Sequence, residues 1–269
     1  MEWGKVKSIL ICLFLILNVV LAISIVGRYF DRRIGNEVRE EIEQIIARRG
    51  ITFEGGLSFE MYSARRLIYE DNSASVLEIA ANLYSDGASI QFTGPESFLY
   101  SNANPRDKSV AGDGESGLDE AIRSVLGQAG IDIAEFVTDE ILVYPDGGRV
   151  FRYIRVFERK YVFDSNIAVF VNPVGGIEHI HVSYRGVRGF SDEAEMSMIP
   201  AYQVFLRNSF QEGQVISSID IGYLGLQDPY YDGSYMESME GAVWRVRLGD
   251  GGERFFEGAF GDEITYVPM

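Results

Sequence analysis

From Ser8 to Gly27 the chain runs without one charged side chain, and most of that run is Ile, Leu, Val or Phe. A helix needs about 20 apolar residues to cross the hydrocarbon core of a bilayer, so the stretch has the length of a membrane span. Trp3 and Tyr29 flank it where interfacial aromatics are favoured, and Lys5 and Lys7 stand at its amino-terminal edge. A cleaved secretory signal is the competing reading. It would have a shorter apolar core and a small-residue cleavage site; Ala22-Ile23-Ser24 is the one passable site, and Ile25 and Val26 carry the apolar run beyond it. The expectation is therefore an uncleaved anchor, with residues 1–33 forming tail and span. Asn18 lies near its midpoint and Ala22 follows one turn later. A buried amide is costly in hydrocarbon and a small neighbour lets another helix approach, so these two mark a helix-packing face. Positive charges do not orient the span, because Arg28, Arg32 and Arg33 follow it as Lys5 and Lys7 precede it.

The chain holds 24 Lys and Arg against 40 Asp and Glu. Residues 1–33 contain five of the basic and two of the acidic ones, leaving 19 against 38 beyond the anchor. Such a surface repels phosphate backbones and anionic headgroups, which argues against nucleic-acid binding and against a polybasic grip on lipid. Cys12, the single cysteine, falls within the apolar run and excludes both an intramolecular disulfide and a cysteine metal site.

Periodicity points to an α+β fold. Ile34, Val38, Ile42, Ile45 and Ile46 recur at helical spacing as far as Gly50. Short strand-like runs follow at 51–53, 57–61 and 66–69, then a helix over 75–84 and strands at 89–92 and 98–100. The polar, glycine-rich stretch 112–117 suggests a boundary near residue 111, giving an amino-terminal unit 34–111 and a carboxy-terminal unit 112–269. Within the latter, a helix followed by strands occurs twice, over 112–190 and 191–269. Asp146-Gly147-Gly148, Pro173 to Gly176 and Gly249 to Gly252 read as hairpin turns. Hairpin-linked strands after a helix predict antiparallel sheets with helices packed on a face.

Catalytic chemistry finds little support. His179 and His181 share one face of a strand, but no further histidine or usable thiol completes a metal site. Asp113, Glu115, Asp119 and Glu120 resemble a calcium loop until counted: the sixth position is Leu118 and the twelfth Ser124, where glycine and glutamate are needed. No nucleophile elbow or phosphate-binding loop occurs. We expect no catalytic, cofactor or metal site and no enzyme, although paired carboxylates in so acidic a chain leave a cell-wall hydrolase as a third, less favoured class.

Three blocks carry a family resemblance. The tail Met1-Glu2-Trp3-Gly4-Lys5-Val6-Lys7 leading into Ile9-Leu10-Ile11-Cys12-Leu13-Phe14 resembles the amino terminus of the YycI family. The run Phe163-Asp164-Ser165-Asn166-Ile167 with the hairpin at Gly175 and Gly176 is similar to a block of that family. Ala242-Val243-Trp244-Arg245-Val246, the turn 249–252 and Arg254-Phe255-Phe256 are similar to the closing unit of YycI and of PepSY-like modules; Phe260-Gly261-Asp262-Glu263-Ile264 departs from its ending. YycI and YycH are accessory membrane proteins of the cell-wall-sensing WalK/WalR two-component system of Gram-positive bacteria. The resemblance implies a cytoplasmic amino terminus, extracytoplasmic α+β domains, partnership with a YycH-like protein and a sensor histidine kinase, no catalysis, and structural roles for Phe163, Asp164 and Trp244. The PepSY-like ending keeps open a different class, an envelope peptidase inhibitor or chaperone.

Overall fold

Isoleucines at helical spacing and a carboxylate in the first turn form α1, Asn36–Arg48, which buries Ile42 and Ile46 and stops ahead of Gly50. The computed structural model describes this helix as part of residues 36–105, 110, 114–225 and 239–266, together with Phe14, Leu17 and Asn18. Along the chain follow β1 (Thr52–Phe53), β2 (Ser63–Ala64), β3 (Leu67–Glu70), α2 (Ser73–Leu83), β4 (Ala88–Gly94), β5 (Ser97–Asn102) and α3 (Gly114–Gln128). A meander of β6 (Phe136–Val143), β7 (Arg149–Phe157), β8 (Lys160–Val171) and β9 (Ile177–Ser183) leads to β10 (Gly186–Phe190) and β11 (Met196–Ser197). The chain then forms α4 (Ala201–Arg207), β12 (Val215–Tyr223), β13 (Met239–Glu240), β14 (Ala242–Leu248), β15 (Glu253–Glu257) and β16 (Glu263–Ile264). The class is α+β, dominated by antiparallel pairing.

Two expected elements differ. Residues 57–61 are irregular instead of a strand. The Ser58 hydroxyl accepts the Glu60 backbone N–H, a local bond that competes with a ladder, and of these five residues Leu57 alone is buried. The helix that opens the unit 112–190 starts at Gly114, inside the polar, glycine-rich stretch taken as a boundary, with Glu115 in its first turn where the helix dipole favours a carboxylate.

One sheet of eleven strands organises the molecule, in the order β16-β15-β14-β12-β8-β9-β5-β4, with β7 on β8, β6 on β7 and β1 on β12. Two of its pairings are parallel, β1 with β12 and β12 with β8. Helices α2 and α3 pack Val76, Ile79, Leu83, Ile122 and Leu126 over β5, β7, β8 and β9. Helices α1 and α4 cover β12, β14 and β15, with Ile46, Val204 and Phe205 meeting Ile216, Trp244, Val246 and Phe256. The first core draws on residues 76–182, while the second combines 42–69 with 162 and 198–256. Apolar grouping thus follows the sheet rather than chain order, and strands on both sides of residue 111 hydrogen-bond to each other, as β5 does with β9.

Strand β8 belongs to both cores. On one edge β7 is its partner at both ends, but on the other its first residues lie beside β12 and its last six beside β9. The change occurs at a bulge. Arg155 pairs with Val162 and Ile154 with Asn166, so Phe163, Asp164 and Ser165 have no opposite number on β7. Extra residues in one strand bend it and re-aim its side chains.

Candidate functional site

The bulge makes Asp164 the centre of a buried polar knot. Its Oδ1 accepts the Tyr69 hydroxyl at 3.1 Å; its Oδ2 accepts Arg185 Nη1 at 2.7 Å and the Gly225 backbone N–H at 3.1 Å. Its carbonyl accepts the Ser183 hydroxyl at 2.6 Å. Arg185 also reaches Glu96 at 3.5 Å and lies 4.2 Å above the Tyr69 ring. Glu96 in turn accepts the backbone N–H groups of Asn72 and Gly186. Gly225 has to be glycine in this arrangement, since a Cβ there would fall on Arg185 Nη1. Burial, reinforced by the Asp164 charge, raises the Tyr69 hydroxyl pKa well above its ordinary value. Burial alone would lower that of the Arg185 guanidinium, but Asp164 and Tyr69 outweigh it and the net shift is upward. The knot joins β3, β8 and the segments following β9 and β12, and so ties the two cores together.

A second cluster lies near the far end of the sheet. Arg245 is 3% exposed and binds Asp139 through two parallel contacts of 3.0 Å, Asp220 at 2.9 Å and Glu253 at 3.4 Å. Arg247 adds a hydrogen bond to Asp139 and an ion pair with Glu253, and Arg152 bridges Glu140 and Glu253. Burial pushes the Asp139 carboxyl pKa upward, but hydrogen bonds from Arg245 and Arg247 prevail and hold it below the usual carboxylate value. Sequence reasoning missed this cluster. Its signal was the alternation Arg245-Val246-Arg247 on a strand whose other face carries Trp244 and Val246, which puts both guanidinium groups on one side of the sheet.

A cleft of about 460 Å³ opens along β12 between β1 and the start of β8. Tyr62, Ala201 and Trp244 line it from the α4 side, Arg159, Lys160 and Tyr161 from the other, and Ser217 to Ile221 along one edge.

Among the residues singled out by sequence, Phe163 packs with Leu224, Val243 and Phe255 and sits 4.7 Å below the Arg245 guanidinium. Trp244 is buried and donates its indole N–H to the Ile199 carbonyl at 3.0 Å. Phe163, Asp164 and Trp244 are therefore interior residues. His179 contacts the Ser101 hydroxyl at 3.0 Å, while His181 Nε2 has no partner among the described residues and burial lowers its pKa. Neither histidine belongs to a group of three potential metal ligands among the described residues. Asp119, from the rejected calcium loop, pairs with Arg123 at 2.9 Å. Asn18 is helical and exposed. Ala22, Trp3, Lys5, Lys7 and Tyr29 lie outside the described residues, and no helix within them is long and apolar enough to cross a membrane.

The geometry defines an α+β protein with a bent sheet, two large cores, a smaller apolar cluster around Phe163 and an interior ion-pair network. No family model matches the chain, and no curated protein does. Among solved structures it is similar to an uncharacterized protein from Eubacterium rectale, with 9% identity and a TM-score of 0.46 over 77% of this chain and 87% of that one. It is also similar to the C-terminal domain of Bacillus megaterium YpeB, with 11% identity and a TM-score of 0.36 over 74% of this chain and 97% of that one. Likenesses of this size carry no functional argument.

Proposed function

We propose that this chain is a membrane-anchored regulatory protein that modulates a cell-wall-sensing histidine kinase. In this reading a single helix over Ser8 to Gly27 holds it in the cell membrane with the amino terminus cytoplasmic and the α+β part extracytoplasmic, and a YycH-like protein shares the complex. The observation that carries the reading is the uncharged run itself, long enough to span a bilayer and set ahead of a folded part with 38 acidic against 19 basic side chains. The resemblance of the tail and of the Phe163 and Trp244 blocks to YycI supports the choice of partners. Asn18 supplies the contact, because an amide at the bilayer midplane gains most by bonding to another helix.

Asn18→Leu in the full chain, expressed with the sensor kinase and the YycH-like protein, tests it. We expect unchanged membrane levels and reduced recovery of the kinase or the YycH-like protein. Equal recovery with wild type refutes contact through the helix. The other reading, an envelope peptidase inhibitor or chaperone, rests on the Trp244 to Phe256 unit and requires inhibition or protection of an envelope peptidase by the purified chain.

A further inference from the structure

The edge of β12 opposite β14 is interrupted. At one end Thr52 and Phe53 of β1 pair with Val215 and Ile216; at the other, Tyr161 and Val162 of β8 pair with Gly222 and Tyr223. Between them Ser217 to Ile221 pair with β14 on their other side, from Ser218 onward, and have no strand partner on this edge among the described residues. Five residues of strand span roughly 17 Å. The Ala242 carbonyl accepts Gly258 N–H, so Ala242 faces β15, and alternation then turns Val243, Arg245 and Arg247 toward their partners Gly222, Asp220 and Ser218. The backbone groups of Ile219 and the N–H of Ile221 consequently point into the cleft. Exposed strand edges are templates for another strand unless they are blunted.

A second observation concerns the rim. The loop joining β7 to β8 has only two residues, Glu158 and Arg159, with φ of 44° and 67°. Both central positions of such a turn require the left-handed region, where Asn and Gly are the usual residues. Neither is present. Strained conformations of this kind gather at binding sites, and here the strain sets Arg159 and Lys160 over the cleft. Neither side chain has an ion-pair or hydrogen-bond partner among the described residues, in a chain of formal charge −16 whose interior arginines are paired. The opposite wall is apolar and aromatic, formed by Tyr62, Ala201 and Trp244.

We propose that this gap receives an extended peptide segment of a partner protein, with alternating apolar and acidic side chains, as an added strand between β1 and β8. Ile219 and Ile221 supply main-chain bonds, the aromatic wall takes the apolar side chains, and Arg159 and Lys160 take a carboxylate. The proposal goes beyond the regulatory reading and stands on the folded part alone, so it survives or fails independently of the anchor.

The test is calorimetric titration of the full chain in detergent with an acetylated, amidated pentapeptide of alternating valine and glutamate. Saturable binding is expected, weakened about fivefold when glutamine replaces glutamate and about tenfold or more when alternate backbone amides on the bonding edge are N-methylated. Replacing the turn by E158N/R159G should raise Tm yet bring affinity for the glutamate peptide down toward that of its glutamine counterpart. The proposal is overturned by absence of saturable binding, by indifference to N-methylation, or by slow exchange of the Ile219 and Ile221 amides in the free chain, which would mean that the chain itself already fills the gap.

Discussion

Removing the Asp164 side chain should separate what its charge does from what its hydrogen bonds do. In Asp164→Ala, Tyr69, Arg185 and Gly225 lose the acceptor they share. Breaking a buried ion pair by deleting one partner costs about 3–5 kcal/mol. Arg185 keeps Glu96 at 3.5 Å and its side chain is 17% exposed, which places the ion-pair part near the lower end. Stranding the Tyr69 hydroxyl and the Gly225 N–H adds about 1 kcal/mol each, giving roughly 5 kcal/mol in all. Asp164→Asn is milder. With its amide oxygen turned to Arg185 and Gly225 and its amide nitrogen donating to the Tyr69 oxygen, all three contacts remain, one of them reversed, and the charge is lost, at about 1–2 kcal/mol. Urea unfolding in a Trp3→Phe background, followed by emission of the buried Trp244, reads the difference. With a slope of about 2.5 kcal/mol/M, the midpoint should fall by about 2 M for Ala and about 0.6 M for Asn. Equal shifts for the two variants would refute the division between charge and bond count. Shifts below about 0.2 M in both would refute the knot as a tie between the cores.

Arg245→Met should cost about 3–5 kcal/mol near neutral pH, because it leaves Asp139, Asp220 and Glu253 close together without their shared cation. The Asp139 carboxyl has its folded pKa below the ordinary 3.8, so its contribution is present above 3.8 and disappears as pH falls through the folded value. Unfolding midpoints measured between about pH 2 and 7 should therefore show a smaller loss on acidification in Arg245→Met than in wild type, because the variant lacks part of what depresses the folded pKa; parallel profiles would contradict the assignment. The turn exchange E158N/R159G should stabilise the fold by about 1 kcal/mol by placing Asn and Gly, which tolerate the left-handed region, at 158 and 159, visible as a higher Tm. A lower Tm would show that the Glu158 or Arg159 side chain contributes more than its backbone costs.

Elements marked by strong periodicity or turn chemistry were legible from residues alone. Helix α1 and the hairpins at Gly147, Gly175 and Gly251 belong here, since their spacing and glycines act locally. Residues 57–61 misled because an apolar Leu57 and Phe59 alternate like a strand, while the Ser58 side chain captures the backbone instead. The start of α3 was hidden by glycines at 114 and 117, which lower intrinsic helicity but are outweighed by the packing of Leu118, Ile122 and Leu126. Phe163, Asp164 and Trp244 were picked out by resemblance as structural, and all three are interior. Nothing local shows that Asp164 sits in a bulge, because a bulge is defined by the partner strand's register.

The sequence by itself determined the α+β class, the acidic balance and the uncharged segment at Ser8 to Gly27, all consequences of composition and of spacing within one element. Tertiary structure alone decided which distant residues share a core, that Asp164 meets Tyr69, Arg185 and Gly225, that Arg245 gathers three carboxylates, and that β12 keeps an open edge. The physical reason is range: helical period and turn preference act over a few residues, whereas ion pairing and strand register join groups far apart in the chain, as they do Asp139 and Arg245, 106 positions apart.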